Sequence, residues 1–335
     1  MSPTSYQTAP PRNTILAQAG AGVNGLAGWM YARNGGHQLM IRNLKAASLS
    51  VLILAASASP QTRILKDIEY ARPGNVSVLL DLYLPESRGP HPLIVWIHGG
   101  AFRAGDKGNI FWRPMPRQAE RGYAVASINY RLSGQARFPA LIHDSKAAIR
   151  WLRANTAKYG LKADRIVVAG ESAGGHLSAL LGTSGGVAQL EDPAMGNPKE
   201  SSRVQGVVDF FGPTDFLQMD VAVPASCPAP QVHNAPDSPE SELLGCAIPA
   251  CPEKVKTANP ITYISPDDPP FLILHGTGDC LVPSPQSQLL YDSLRAAGVR
   301  ASLYLLPGLA HADKRFYTPE NEKLVNDFID AILRP

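Results

Sequence analysis

The stretch Asp164-Arg165-Ile166-Val167-Val168-Ala169-Gly170-Glu171-Ser172-Ala173-Gly174-Gly175-His176-Leu177-Ser178-Ala179-Leu180-Leu181 decides how the rest of the chain is read. Ile166 to Ala169 are apolar and largely β-branched, the composition of a strand buried on both faces. After Ser172 come the small and apolar residues of a helix that packs closely on a sheet. Between the two stands Gly-x-Ser-x-Gly, the nucleophile-elbow pattern, whose glycines permit a turn tight enough to leave the serine hydroxyl exposed at the carboxyl edge of the sheet. The pentapeptide alone is weak evidence, because Gly and Ser are frequent in this chain. A strand before it, a helix after it and His98-Gly99-Gly100 upstream supply the context the motif requires.

Outward from this unit, apolar strands and amphipathic helices alternate. Thr62 to Ala71 and Val76 to Leu84, split by Arg72-Pro73-Gly74-Asn75, predict an opening hairpin. Leu93 to Ile97, Ala124 to Tyr130, Val204 to Phe211, Phe271 to Leu274 and Ser302 to Leu306 predict further strands. Pro139 opens a helix with Leu141, Ala148, Trp151 and Leu152 on one face, expected to end at Gly160. Ser284 and Pro285 form an N-cap and first-turn pair for a helix stopping at Gly298, and Leu324, Val325, Phe328, Ile329 and Ile332 stripe a closing helix. The fold class is therefore α/β, with a mostly parallel, doubly wound sheet flanked by helices. Residues 220–270 break the alternation: they hold eleven prolines and three of the four cysteines, and only Pro239 to Leu244 and Glu253 to Ala258 have a helical pattern. An irregular stretch of this length, between strands that should flank a site, is expected to be a lid.

Composition bounds the function. With 335 residues, 44% apolar and 18% charged, the chain has room for one large α/β domain or two small ones. Its net charge of +3 arises at the amino terminus, where Arg12, Arg33, Arg42 and Lys45 precede the first acidic residue, Asp67. The remaining 27 Lys and Arg stand against 28 Asp and Glu, so nothing favours a nucleic-acid partner. There is no apolar run of the roughly 18 residues needed for a stable membrane span. Residues 40–58 have the parts of a secretory signal: Arg42 and Lys45 as the charged region, Ala46 to Ala55 as the apolar region and Ala56-Ser57-Ala58 as a cleavage site. The expected organisation is a disordered or untranslated extension over 1–39, translation from Met40, a signal peptide over 40–58, and a catalytic domain over 59–335 that is periplasmic or secreted. The even count of Cys227, Cys246, Cys251 and Cys280 in an exported chain predicts two disulfides, with Cys227–Cys246 and Cys251–Cys280 the favoured pairing. No metal site is expected, because paired C-x-x-C is missing and His233 lacks ligand spacing.

A serine becomes a nucleophile when a base takes its proton, and that base needs an acid to hold its tautomer. On this architecture the chain order is serine, acid, histidine. Beyond the Ser172 helix only His233, His275 and His311 remain; the first lies in the irregular insertion and the second precedes the best acid. His311 follows the last strand and is the candidate base. Asp279 follows the strand Phe271 to Leu274 in a Gly-rich loop at the same edge, whereas Asp209, Asp215, Asp267 and Asp268 lie on the wrong element or at the wrong end. Gly99 and Gly100, with Ala173 after the nucleophile, are the candidate oxyanion-hole donors.

The segments His98-Gly-Gly-Ala-Phe, Asn129-Tyr-Arg-Leu, Gly170-Glu-Ser-Ala-Gly-Gly-His, Ser238-Pro-Glu-Ser, Asn259-Pro-Ile-Thr-Tyr, His275-Gly-Thr-Gly-Asp and Gly308-Leu-Ala-His resemble the bacterial α/β-hydrolase esterases. The resemblance is nearest to the feruloyl-esterase and acetylxylan-esterase-like (BD-FAE-like) branch, close to the hormone-sensitive-lipase-like carboxylesterases, and covers roughly residues 62–335. Ala101 stands where many relatives have a third glycine, and the four cysteines are not a general feature of the family. The resemblance implies an α/β-hydrolase fold and an exported serine carboxylesterase that needs no cofactor. It would act on short-chain, acetyl or feruloyl-type esters, small or polysaccharide-linked, through an acyl-enzyme on Ser172, with His311 and Asp279 completing the catalytic triad. Phe102, Phe111, Trp112 and Phe138 are the expected substrate-binding walls. The competing readings are a serine peptidase or amidase of the same fold and a non-catalytic binding module. The latter is expected to lack one triad member, and none is missing.

Overall fold

Successive residues of a strand face opposite sides of a sheet, and in the central strands of this chain both sets are apolar, so helices must cover both faces. The computed structural model describes residues 62–109, 115–221, 223–224, 227–228 and 231–334. The expectations for residues 1–58, extension and signal alike, lie outside these. Among the described residues the elements are β1 (Thr62–Ala71), β2 (Val78–Pro85), β3 (His91–Ile97), β4 (Ala124–Ile128), α1 (Ala140–Ala154), α2 (Thr156–Tyr159), β5 (Leu161–Glu171), α3 (Ala173–Thr183) and β6 (Gly206–Phe210). They continue with α4 (Pro239–Leu244), α5 (Pro252–Ala258), β7 (Phe271–Gly276), α6 (Pro285–Ala296), β8 (Ala301–Leu306) and α7 (Pro319–Leu333).

The strands form one eight-stranded sheet in the order β1-β2-β4-β3-β5-β6-β7-β8. The hairpin β1–β2 and the pair β2–β4 are antiparallel; every later pair is parallel. Leu93, Val95, Ile97, Ile166 and Val168 point to one face, where Leu141, Leu152, Leu177, Leu180 and Leu290 of α1, α3 and α6 pack on them. Ile94, Trp96, Val167, Ala169 and Val208 point to the other, covered by Val325, Ile329 and Ile332 of α7. The parallel strands all run the same way, so their carboxyl ends deliver the following loops to a single edge. All eleven residues of α3 are buried, which accounts for its small side chains.

Several strand ends shift by two residues, β2 beginning at Val78, β4 ending at Ile128 and β6 beginning at Gly206, and two helix ends differ in kind from expectation. The helix opened at Pro139 breaks at Asn155, whose side-chain amide bonds back to the Trp151 carbonyl at 2.8 Å, and α2 follows as a separate turn ended by Gly160 in the left-handed region. Ser284 already has helical φ and ψ and makes no side-chain cap bond; its carbonyl receives the Ser287 and Gln288 N–H groups instead.

Candidate active site

Three strand-end loops meet at the carboxyl edge. The first is the turn after β5, where Ser172 adopts φ of 53°, a region L residues rarely occupy. Its N–H is fixed to the Phe210 carbonyl at 2.9 Å. A Cβ on Gly174 would collide with the carbonyls of Ile97 and His98, so only glycine lets α3 begin this close to β3. The constrained turn holds Ser172 at the sheet edge, half-buried.

The second loop follows β7. Asp279 is fully buried; its Oδ1 accepts the N–H groups of Leu281 and Val282, both at 2.9 Å, and its Oδ2 accepts Nδ1–H of His311 at 2.7 Å. Burial pushes this carboxyl up, but hydrogen bonds from His275 and His311 outweigh burial and hold it well below the usual carboxylate range. These donors favour its anionic form.

The third loop follows β8 and carries His311. It is stitched to the acid loop by Gly278 N–H on the Leu309 carbonyl at 3.0 Å and Gly308 N–H on Thr277 Oγ1 at 2.9 Å. With Nδ1–H committed to Asp279, His311 Nε2 accepts the Ser172 hydroxyl at 3.0 Å. The ring sits edge-on to Phe211, with centroids 4.8 Å apart. Ser172, Asp279 and His311, drawn from three separate strand ends, thus form one hydrogen-bonded chain. The carboxylate selects the tautomer that leaves a lone pair facing the hydroxyl.

The loop after β3 runs beside this chain. A Cβ on Gly99 would lie 2.9 Å from the Glu171 carbonyl and 3.2 Å from Ser172 Cβ, so the loop backbone passes against Ser172. Gly100, Ala101 and Phe102 all have positive φ, and the Arg103 and Ala104 N–H groups close the turn on the Gly100 carbonyl at 3.0 Å each. Ala173 is the first residue of α3, where backbone N–H groups have no partner inside the helix. His98 is a brace: it stacks on Tyr130 at 4.5 Å, donates Nδ1–H to the Gly99 carbonyl at 2.7 Å, and is pushed down by burial. His176 packs between Phe102 and Phe216, where burial lowers it to about 4.

The expected substrate walls fare differently. Phe102 is buried in the core against His176 and Phe216, because its positive φ turns the ring inward, so it does not face an open pocket. Phe138 is half-buried and lines a cleft of about 640 Å³ with Leu190, Leu244, Lys254 and Tyr263, whose lining does not include Ser172, Asp279 or His311. Phe111 and Trp112 lie outside the described residues. The disulfides also differ: they join Cys227 to Cys280 and Cys246 to Cys251. The short 3-10 turn Ile248–Ala250 brings the Cα atoms of Cys246 and Cys251 to 6.4 Å, within bridging reach, which leaves Cys227 for Cys280.

Several contributors carry no motif. Phe211, itself against Phe316, supports the His311 ring. Tyr317 donates to Glu171 at 3.1 Å, tying the residue before Ser172 to the turn that follows His311. Only the Asp-Phe-Phe-Gly run ending β6 hinted at an unusual strand end.

Asp209 of β6 lies beneath the site, with Oδ1 accepting Gly212 N–H at 2.9 Å and no protein partner on Oδ2 among the described residues. Burial raises it to about 6 against that one hydrogen bond. An unfolded Asp titrates near ~3.9, so the native state binds more protons between those values, and stability is lost as pH rises through about 6. The loss is on the order of 3 kcal/mol. Asp209→Asn is expected to raise the melting temperature at pH 8 and to leave it nearly unchanged at pH 4. Equal shifts at both pH values would contradict this.

The chain resembles known proteins across this same region. It is 34% identical to esterase LipC of Mycobacterium tuberculosis over 66% of this chain and 53% of that protein, and 32% identical to esterase LipQ of the same organism over 79% and 62%. It therefore spans between half and two thirds of the length of these curated relatives. Among solved structures, a truncated form of carbohydrate esterase from gut microbiota superposes with a TM-score of 0.73 at 33% identity, covering 84% of this chain and 99% of that one. A bifunctional GH43-CE protein of Bacteroides eggerthii gives 0.71 at 36%, covering 81% and 35%. The BD-FAE family model matches residues 80–294, from within β2 to within α6, taking in the β3 loop, the Ser172 turn and the Asp279 loop. With that match and an α/β-hydrolase sheet whose strand ends carry these loops, the chain belongs to the BD-FAE family.

Proposed function

We propose that this chain is an exported serine carboxylesterase. The observation that carries the reading is the chain Asp279–His311–Ser172, with contacts of 2.7 and 3.0 Å, at the strand-end edge. Ser172 Oγ attacks the ester carbonyl carbon while His311 Nε2 takes its proton, and ionised Asp279 stabilises the imidazolium. The oxyanion that forms is held by backbone N–H groups of Gly99, Gly100 and Ala173. Collapse releases the alcohol, which takes the proton from Nε2, and leaves an acyl group on Ser172. Water then repeats the sequence and releases the acid. Relatives that are esterases support the reaction class, and a carbohydrate-esterase neighbour supports esters on carbohydrate as the substrate class, within which acetyl and feruloyl groups are the proposed acyl parts.

The test is a hydrolysis panel of short and long nitrophenyl esters, methyl ferulate, acetylated xylan and an aminoacyl anilide. Turnover of the short esters and of at least one carbohydrate-type ester is expected, without cleavage of the anilide. Preferential cleavage of the anilide would favour a peptidase. Export is supported by the two disulfides, which persist in oxidising compartments, and by the signal-like pattern of residues 40–58. The secreted protein should begin at Ser59 by amino-terminal mass spectrometry; a cytoplasmic product retaining residues 40–58 would contradict export.

A further inference from the structure

Asp279 to Val282 form a four-residue loop in which every residue is held by a different contact. Asp279 binds His311 and its own loop's N–H groups, with His275 Nε2 a further 3.3 Å from its Oδ2. Cys280 is bridged to Cys227. The Leu281 carbonyl accepts Nε2–H of His233 at 2.9 Å, and the Val282 carbonyl accepts Nε2–H of His275 at 2.8 Å, with Ser287 donating to His275 Nδ1 at 2.7 Å. Two of these four holds, Cys227 and His233, come from the proline-rich insertion between β6 and β7.

The hold on Leu281 matters most. The carbonyl of Leu281 and the N–H of Val282 belong to one planar peptide unit. His233 grips its oxygen while its N–H grips Asp279 Oδ1, so the orientation of the carboxylate follows the orientation of that plane. His233 is itself buried, and both ring nitrogens and its backbone N–H are bonded. Its Nδ1–H donates to Glu240 of α4 at 3.0 Å, and its backbone N–H donates to Asp220 at 2.8 Å. Burial disfavours its charge, but the Glu240 carboxylate outweighs burial and favours the imidazolium, which donates from both nitrogens.

We infer that the insertion positions the triad acid: His233, backed by Glu240, and the Cys227–Cys280 bridge fix the peptide plane that aims Asp279 at His311. This rests on the reading of Asp279 as the group that orients His311. His233 is a positioning residue, four hydrogen bonds removed from the Ser172 hydroxyl. The insertion then acts through kcat, whereas a lid would act chiefly through the binding of large substrates.

The test compares His233→Ala, His233→Gln and the double variant Cys227→Ser/Cys280→Ser on nitrophenyl acetate and on methyl ferulate, with and without Asp279→Asn. His233→Ala is expected to lower kcat about tenfold with KM for the acetate unchanged. Loss of the bridge in the cysteine double variant should lower kcat likewise, by no more than the roughly hundredfold penalty of a ~1 Å misplacement. His233→Gln keeps an N–H within reach of the Leu281 carbonyl and should recover most of the loss. In the Asp279→Asn background the same changes should cost nothing further. A loss confined to KM for the bulkier ester, a loss that adds to that of Asp279→Asn, or no loss in any of the three variants would overturn the inference. If His233→Ala does not fold, His233→Gln and the cysteine double variant decide it alone. An active Ser172→Ala enzyme would instead remove the triad reading beneath it.

Discussion

Ser172→Ala is expected to lower ester turnover by about 10⁴- to 10⁶-fold while leaving the melting temperature within a degree or two of the parent. The magnitude follows from the way the three groups act as a unit: without Oγ no covalent route exists, and Asp279 and His311 have nothing to activate. The residual rate, on the order of 10³-fold over water, would come from the backbone donors and binding alone. The fold should be indifferent, because the hydroxyl bonds to His311 and the turn itself is held by backbone hydrogen bonds. Steady-state kinetics beside a thermal melt checks both halves. Turnover within tenfold of the parent would mean that the nucleophile lies elsewhere.

Asp279→Asn is expected to cost about 10⁴-fold in kcat with little change in KM. Its oxygen can still accept the Leu281 and Val282 N–H groups, so the loop survives. The amide nitrogen, however, now faces His311 Nδ1 and donates to it. That reverses the tautomer and places a proton on Nε2, where the serine hydroxyl needs an acceptor. A kcat within tenfold of the parent, measured on a short nitrophenyl ester, would show that His311 keeps its tautomer without Asp279.

Much of this was legible in the sequence because it depends on local pattern. The central strands are continuous apolar runs with turn signals on either side, and the Ser172 unit combines strand, glycine-flanked turn and helix within eighteen residues. Chain order then left one histidine and one acid in the loops that the fold sends to the same edge. What the sequence did not carry are contacts that depend on distance in space. The break at Asn155 depends on a side chain choosing its own helix carbonyl over solvent, and Phe102 turns inward through a backbone angle that no residue type announces. Cysteine pairing depends on how one short turn folds. His233, set aside because its segment looked irregular, lies 48 residues from the carbonyl it holds. Proline-rich sequence without periodicity reads as a lid, yet a rigid irregular segment can equally brace a neighbouring loop.

The central claim is that Ser172 Oγ is the nucleophile that carries the acyl group in a covalent acyl-enzyme. Intact-mass spectrometry after brief mixing with an activated phosphonate ester, followed by peptide mapping, tests it most directly. The expected result is a single adduct on the peptide containing Ser172, formed rapidly by the parent, slowly by His311→Ala, and not at all by Ser172→Ala. An adduct on another residue, or labelling that Ser172→Ala leaves unchanged, would contradict it.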